Sequence, residues 1–183
     1  MNFITPPACA HELVTLRELR RADVAAWFAY LCLPEVYEHT SWNASSADDL
    51  LGYVDVNAAA APSSPVRFAL GLRGSDELVG TAGFHTVSAL NRTAEIAYDL
   101  APAYWGKGIA SAACASLAGW GFEHVGLVRV QATALESNAR SIGVLQRCGF
   151  QREGLLRSYR MVRGRPGDFW IYAKVADARK TEP

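Results

Sequence analysis

Leu100-Ala101-Pro102-Ala103-Tyr104-Trp105-Gly106-Lys107-Gly108-Ile109-Ala110 is the stretch on which this chain turns. A β-rich run ends at Leu100, a proline marks a turn, and small residues open a helix. Glycine lets the main chain approach a ligand with no Cβ in the way. The first N–H groups of a helix lack intrahelical acceptors, and the helix dipole favours an anion beside them. No Asp or Glu occupies this first turn, and Lys107 stands there instead. A cation at that end is mildly unfavourable by itself, and a bound phosphate reverses the sign. The pattern reads as an anion cradle or as a plain strand-to-helix turn with Lys107 in solvent. Two other phosphate motifs fail. Walker A needs Ser or Thr after its lysine, where Gly108 stands. The dinucleotide fingerprint is half matched by Gly106, Gly108 and Ser111, but a proline turn intervenes and no βαβ series precedes it.

Outward from this turn the elements alternate in type. Upstream, Val66–Leu72, Leu78–Val87 and Thr93–Leu100 read as three strands. Their connections are too short for a crossover helix, so they pair antiparallel. Further upstream lie a strand over Leu13–Leu19, a helix over Asp23–Leu33 ended by Pro34, and a second helix. That helix is capped by Ser45 or Ser46 and runs through Asp48, Leu51, Tyr53 and Val54, before a loop over Ala58–Pro65. Downstream, Lys107 to about His124 is helical and Leu127–Ala134 is β-rich. Asn138–Cys148 is helical again, with Gly149 as its stop. Phe150–Met161 and Phe169–Val175 read as two last strands around Arg163–Asp168. This order predicts a mixed α/β sheet rather than a repeating βα array. Residues 1–12 read as a loose arm, 13–176 as a single domain and 177–183 as a tail.

Composition narrows the function. At 183 residues the chain buries a core without a metal or disulfide staple. Its 18 Lys plus Arg balance 18 Asp plus Glu, which argues against a nucleic-acid coat and predicts no direct nucleic-acid partner. No apolar run approaches the roughly 20 residues of a membrane span, and no secretory signal opens the chain. Cys9, Cys32, Cys114 and Cys148 form no C-x-x-C pair and no His cluster joins them, so no metal is expected. These features predict a cytoplasmic protein with reduced thiols. Any exposed aromatic residues would offer a homodimer surface.

Trp105-Gly106-Lys107-Gly108-Ile109-Ala110 resembles the coenzyme A-binding motif [Q/R]-x-x-G-x-[G/A] of the GNAT superfamily of N-acetyltransferases, departing at its first position. Trp105 there, after Tyr104, is similar to the RimJ/RimL-like branch of ribosomal-protein-alanine N-acetyltransferases. Ala94-Glu95-Ile96-Ala97-Tyr98-Asp99-Leu100 is similar to that branch's preceding strand. Asn138-Ala139-Arg140-Ser141 and Gln146-Arg147-Cys148-Gly149-Phe150 are similar to its N-x-x-S and terminal G-F segments. The likeness spans Leu13–Val175, and three motifs in order are far more specific than one.

The resemblance implies a twisted mixed sheet of about six to seven strands with about four flanking helices. It also implies a splayed parallel pair formed by the Thr93–Leu100 and Leu127–Ala134 strands, with the cofactor between them. Acetyl-CoA is the implied cosubstrate, with no metal. Its pantetheine amides would meet the main chain of Asp99 and Leu100, and its pyrophosphate the N–H groups from Gly106 through Lys107, Gly108 and Ile109 to Ala110, with Trp105 and Ser141 as further cofactor-binding residues. Asn138 would hold the pantetheine arm, or cap its helix, or both.

The implied chemistry is direct attack of an amine on the thioester. An α-amino group has a pKa of about 7.7–8.0 and must lose a proton first. Glu95 is the candidate base or amine-binding group, or else a solvent-facing strand residue. Ser141, which resembles a serine proposed to protonate the thiolate in this branch, is otherwise a helix-surface hydroxyl. The tyrosine that many GNAT enzymes use as acid is here Leu145. Tyr98 and His85 are further substrate-side candidates, Tyr98 alternatively core and His85 a strand end. Trp27, Trp42 and Trp120 read as packing residues. Arg157, Arg160, Arg163 and Arg165 read as a solvated face, or as contacts to an acidic substrate or the cofactor's 3′-phosphate. The acceptor would be a protein N-terminal amine or a small-molecule amine. The alternatives are a noncatalytic acyl-CoA sensor and a nucleotide-binding protein.

Overall fold

Short connections force neighbouring strands to pair antiparallel, and the chain obeys this from its second strand to its fourth; the first strand pairs antiparallel with the second only after a long helical connection. The computed structural model describes residues 5–41, 44–59 and 64–177, with the backbone alone over 56–59. Trp42, part of the Ala58–Pro65 stretch and the tail from 178 lie outside those residues. Strands β1 (Val14–Glu18), β2 (Val66–Leu72), β3 (Leu78–Ser88) and β4 (Thr93–Leu100) form an antiparallel run. The chain then crosses through α4 (Ile109–Trp120) and returns as β5 (Arg129–Leu135), parallel to β4. Helix α5 (Ala139–Arg147) leads to the hairpin β6 (Gln151–Val162) and β7 (Arg165–Val175), and β7 inserts beside β5. The sheet has seven strands in the order β1-β2-β3-β4-β5-β7-β6.

Both faces of the sheet are covered, which is why β2 and β3 read as nearly unbroken apolar runs. One face packs Phe68, Phe84, Ile96 and Val130 against Ile109, Cys114 and Leu117 of α4 and Val144 and Leu145 of α5. The other packs Ala69 and Leu78 against Trp27, Tyr30 and Leu31 of α1 (Val24–Leu31) and Leu50, just before α3 (Leu51–Ala59).

Four details depart from the sequence-based expectation. Pro34 ends α1 but also opens a short helix α2 (Pro34–Tyr37), because proline at the first helical position loses no bond. Ala58 and Ala59 belong to α3 rather than to the following loop. The last hairpin turns on two residues only, Arg163 at φ +53° and Gly164 at φ +75°. Two positive φ values match the right-handed twist of the flanking strands, so β7 begins at Arg165 and runs through Pro166–Asp168. The arm is not loose at its end. Cys9 is buried, Ala10 N–H donates to Ser116 Oγ at 3.3 Å, and the His11 ring meets the Lys107 carbonyl at 2.8 Å.

Candidate active site

Strands β4 and β5 pair only over Thr93–Glu95 and Arg129–Gln131, then separate. Strand β5 keeps its other edge on β7 through Leu135, so the gap lies between β4 and β5 alone. A cleft of about 550 Å³ opens along the end of β4 beyond the point where the pairing stops. Its walls are the end of β4, the glycine turn, the first turns of α5, and α2 with His39 and Thr40 beyond it.

The glycine turn is built as a cradle. Gly106 and Gly108 sit at φ +75° and +81°, where a side chain is strained. A Cβ added at Gly106 would meet nothing within 4 Å, and one at Gly108 only His11 Nε2 at 3.8 Å. The main chain there is bare toward the cleft. The first bond of α4 runs from Ala112 N–H to Gly108 C=O at 3.0 Å, so the N–H groups of Ile109, Ala110 and Ser111 precede it. Trp105 closes the turn by donating its indole N–H to the Leu100 carbonyl at 2.9 Å, with the Arg140 guanidinium 4.4 Å above its ring. Lys107 does not line the cleft. It is exposed, with its ammonium 5.3 Å from the Tyr104 ring centroid. Arg140 and Arg147 line the cleft instead, and sequence reasoning singled out neither as a cofactor contact.

The end of β4 corrects a second expectation. Ala101 N–H bonds to Val79 C=O at 2.9 Å. Main-chain direction alternates along an antiparallel strand, so Asp99 points its main chain at β3 while Tyr98 and Leu100 point theirs at the cleft. A Cβ on Gly80 would indeed meet the Asp99 carbonyl at 2.5 Å. The main-chain donors offered to the cleft are therefore Tyr98 and Leu100, and the Leu100 carbonyl is already held by Trp105. The Asp99 side chain reaches the α1 face. There it accepts from Trp27 Nε1 at 3.2 Å, Thr81 Oγ1 at 2.8 Å, the Tyr30 hydroxyl and the Arg67 guanidinium. Burial and the Asp99 charge push the Tyr30 pKa up, so its hydroxyl stays a donor. The signal for this network was Arg67, a cation inside the apolar run Val66–Leu72.

On α5, Asn138 is the N-cap. Its Oδ1 accepts the Ser141 N–H at 3.0 Å, and both residues line the cleft. The Ser141 hydroxyl lies 3.0 Å from the Tyr98 hydroxyl. Burial raises the Tyr98 pKa and keeps the phenol protonated.

At the apex of the separation, on the α1 face, Glu95 is only 6% exposed, so it is not a solvent-facing strand residue. Its Oε1 accepts from Thr133 Oγ1 at 2.7 Å and from Arg160 at 3.3 Å. Its Oε2 has a long contact, 3.5 Å, from the Gln131 amide. His85 does not end its strand. It lies inside β3 at a register shift, with Nδ1 3.3 Å from the Glu95 carbonyl and Nε2 3.7 Å from Glu95 Oε1. Arg160 reaches Glu95 because β6 bulges: Arg157–Tyr159 face only Asp168 of β7. Arg163 instead stacks on Tyr37 and donates to the Tyr37 and Thr40 carbonyls, tying the hairpin to α2. None of the four arginines of that run lines the cleft. Trp27 packs as expected but also donates to Asp99, and Trp120 stacks on Phe84 at 6.4 Å.

Among the described residues no cluster of three or more His, Cys, Asp or Glu could hold a metal. No helix among them is long and apolar enough to cross a membrane.

Comparison with known proteins agrees with this geometry. Residues 14–151 match the acetyltransferase (GNAT) domain family. The uncharacterized N-acetyltransferase p20 of Bacillus licheniformis is 34% identical over 166 residues, covering 88% of this chain and 92% of its own. The ribosomal-protein-serine acetyltransferase of Escherichia coli is 33% identical over 104 residues, covering 57% and 58%. The solved structure of RimJ from Mycobacterium smegmatis with a CoA disulfide superposes with a TM-score of 0.78 at 27% identity, covering 92% of this chain and 84% of that one. A bare glycine cradle, unpaired main-chain donors on β4 and a matching domain over most of the length have one explanation: the chain belongs to the GNAT family and is an acetyl-CoA-dependent N-acetyltransferase.

Proposed function

We propose that the acceptor is the α-amine of a protein N-terminus. The observation that carries this reading is the charge balance at the apex: one carboxylate, Glu95, shared with the Arg160 guanidinium at 3.3 Å. A polyamine brings several cations, and Arg160 repels every one after the first. A peptide N-terminus brings one cation followed by neutral main chain, whose carbonyls an arginine can bind. The similarity to ribosomal-protein acetyltransferases supports the same choice.

Acetyl-CoA supplies an activated acetyl group on a thiol leaving group. The N–H groups of Ile109 and Ala110, with Gly106 and Gly108 as their bare approach, hold its pyrophosphate. Tyr98 and Leu100 N–H bind its pantetheine, together with Asn138, whose Oδ1 is committed to the helix cap and whose Nδ2 is left to donate. Glu95 Oε2 receives the incoming ammonium. Ser141, backed by the protonated Tyr98 hydroxyl, gives a proton to the departing sulfur.

Initial rates with acetyl-CoA on three acceptors test the proposal: a short peptide with a free N-terminus, the same peptide N-blocked with an internal lysine, and spermidine. The free N-terminus is expected to give the highest kcat/KM. A higher value for spermidine or for the lysine side chain overturns it.

A further inference from the structure

We propose that His85 Nε2 is the atom that takes the proton from the acceptor amine. The proposal rests on the amine entering beside Glu95, as set out above, and adds the residue that activates it.

Three features of the geometry carry it. First, His85 is an extra residue of β3, at a shift of register between Phe84 and Thr86, and such bulges re-aim side chains. Its ring lies over the sheet against Glu95 rather than out in solvent, with the side chain 29% exposed. Second, the tautomer follows from its partner. The Glu95 carbonyl, 3.3 Å from Nδ1, can only accept, so Nδ1 carries the hydrogen and Nε2 keeps its lone pair. Third, Glu95 itself is poorly placed as the base, because its Oε1 already accepts from Thr133 and Arg160. The carboxylate holds the ammonium at Oε2, and the imidazole Nε2, 3.7 Å from Oε1 of the same carboxylate, removes its proton.

The charged groups facing His85 are Glu95 from β4, Arg160 from β6 and Arg67 from β2. Burial, the largest influence, lowers the imidazole pKa below its ordinary value; Glu95 opposes this, and the two arginines add to it. The ring is therefore neutral at pH 7 and able to accept.

The step balances. The ammonium loses one proton to Nε2, and the neutral nitrogen bonds the acetyl carbonyl carbon. As the carbon–sulfur bond breaks, the sulfur takes a proton from Ser141, and the nitrogen's second proton replaces it. The N-acetylated acceptor and the free thiol leave, and Nε2 returns its proton to water.

His85→Asn is the decisive variant, since it keeps a donor at the Nδ1 position and removes Nε2. The readouts are log(kcat/KM) against pH, with the best amine of the three-acceptor panel, and the NMR titration of the His85 ring in the wild-type protein without ligand. In the wild type, the acid limb is expected to fall at the pH where the His85 ring titrates. In His85→Asn that limb disappears and the rate at pH 7 drops about 10²-fold or more. It then recovers toward the amine's own pKa, about 7.7–8.0 for a peptide N-terminus. Thermal stabilisation by coenzyme A is expected to be unchanged, which shows that the variant is folded. A wild-type profile in the variant overturns the proposal. So does a wild-type limb that does not coincide with the His85 titration, a comparison that needs no variant. If spermidine turns over and peptides do not, the acceptor assignment fails, and the same two readouts taken with spermidine judge His85 separately.

Discussion

Replacing Arg67 by methionine removes one half of a buried ion pair. The Arg67 and Asp99 side chains are 8% and 11% exposed, and Arg67 also donates to Thr81 Oγ1 at 2.7 Å. Leaving a buried charge without its partner costs about 3–5 kcal/mol, far more than an exposed pair is worth. For a domain of this size each kcal/mol shifts Tm by about 2–4 °C, so Arg67→Met is expected to melt about 6–20 °C below wild type. The Asp99→Asn/Arg67→Met double variant removes both charges, while the amide oxygen can still accept from Trp27 and Thr81. It is expected to recover part of the loss. Asp99 sits between the two residues whose N–H groups face the cleft, so Arg67→Met also weakens coenzyme A binding. Differential scanning calorimetry and titration calorimetry with coenzyme A measure the two effects. An Arg67→Met protein within about 1 kcal/mol of wild type, or a double variant no more stable than Arg67→Met, refutes the assignment of this pair as buried and coupled.

Gly106→Ala is expected to cost about 1–2 kcal/mol through its positive φ. It should lose more in coenzyme A affinity, because the new Cβ has only the cleft to enter; an unchanged Kd by titration calorimetry contradicts the cradle. Ser141→Ala is expected to lower kcat about 10²-fold while leaving the coenzyme A Kd as in wild type. An unchanged kcat in single-turnover measurements removes the serine from the chemistry.

Much of the fold was legible because local chemistry fixes it. Short connections at Arg73–Asp76 and at Ala89–Asn91 permit only antiparallel pairing, and Pro102 with Gly108 permits only a turn into a helix. The last hairpin was legible in kind but not in extent, since Pro166 and Gly167 look like turn residues until Arg163–Gly164 is seen to make the whole turn. The glycine turn was legible for the same local reason: its exposed N–H groups are consecutive main-chain groups near Gly106–Ala110. Where the Lys107 side chain goes was not legible there: its ammonium lies over the Tyr104 ring rather than along the cleft.

By itself, then, the sequence determined the order of elements, the glycine cradle and the cap at Asn138, all contacts between residues close together along the chain. The tertiary structure alone decided which side chains meet at the apex. Glu95, His85, Thr133 and Arg160 come from four strands, and Ser141 meets Tyr98 across 43 positions of sequence. No periodicity encodes such meetings. They follow from strand order, from where β4 and β5 part, and from bulges in β3 and β6 that turn a histidine and an arginine onto one carboxylate.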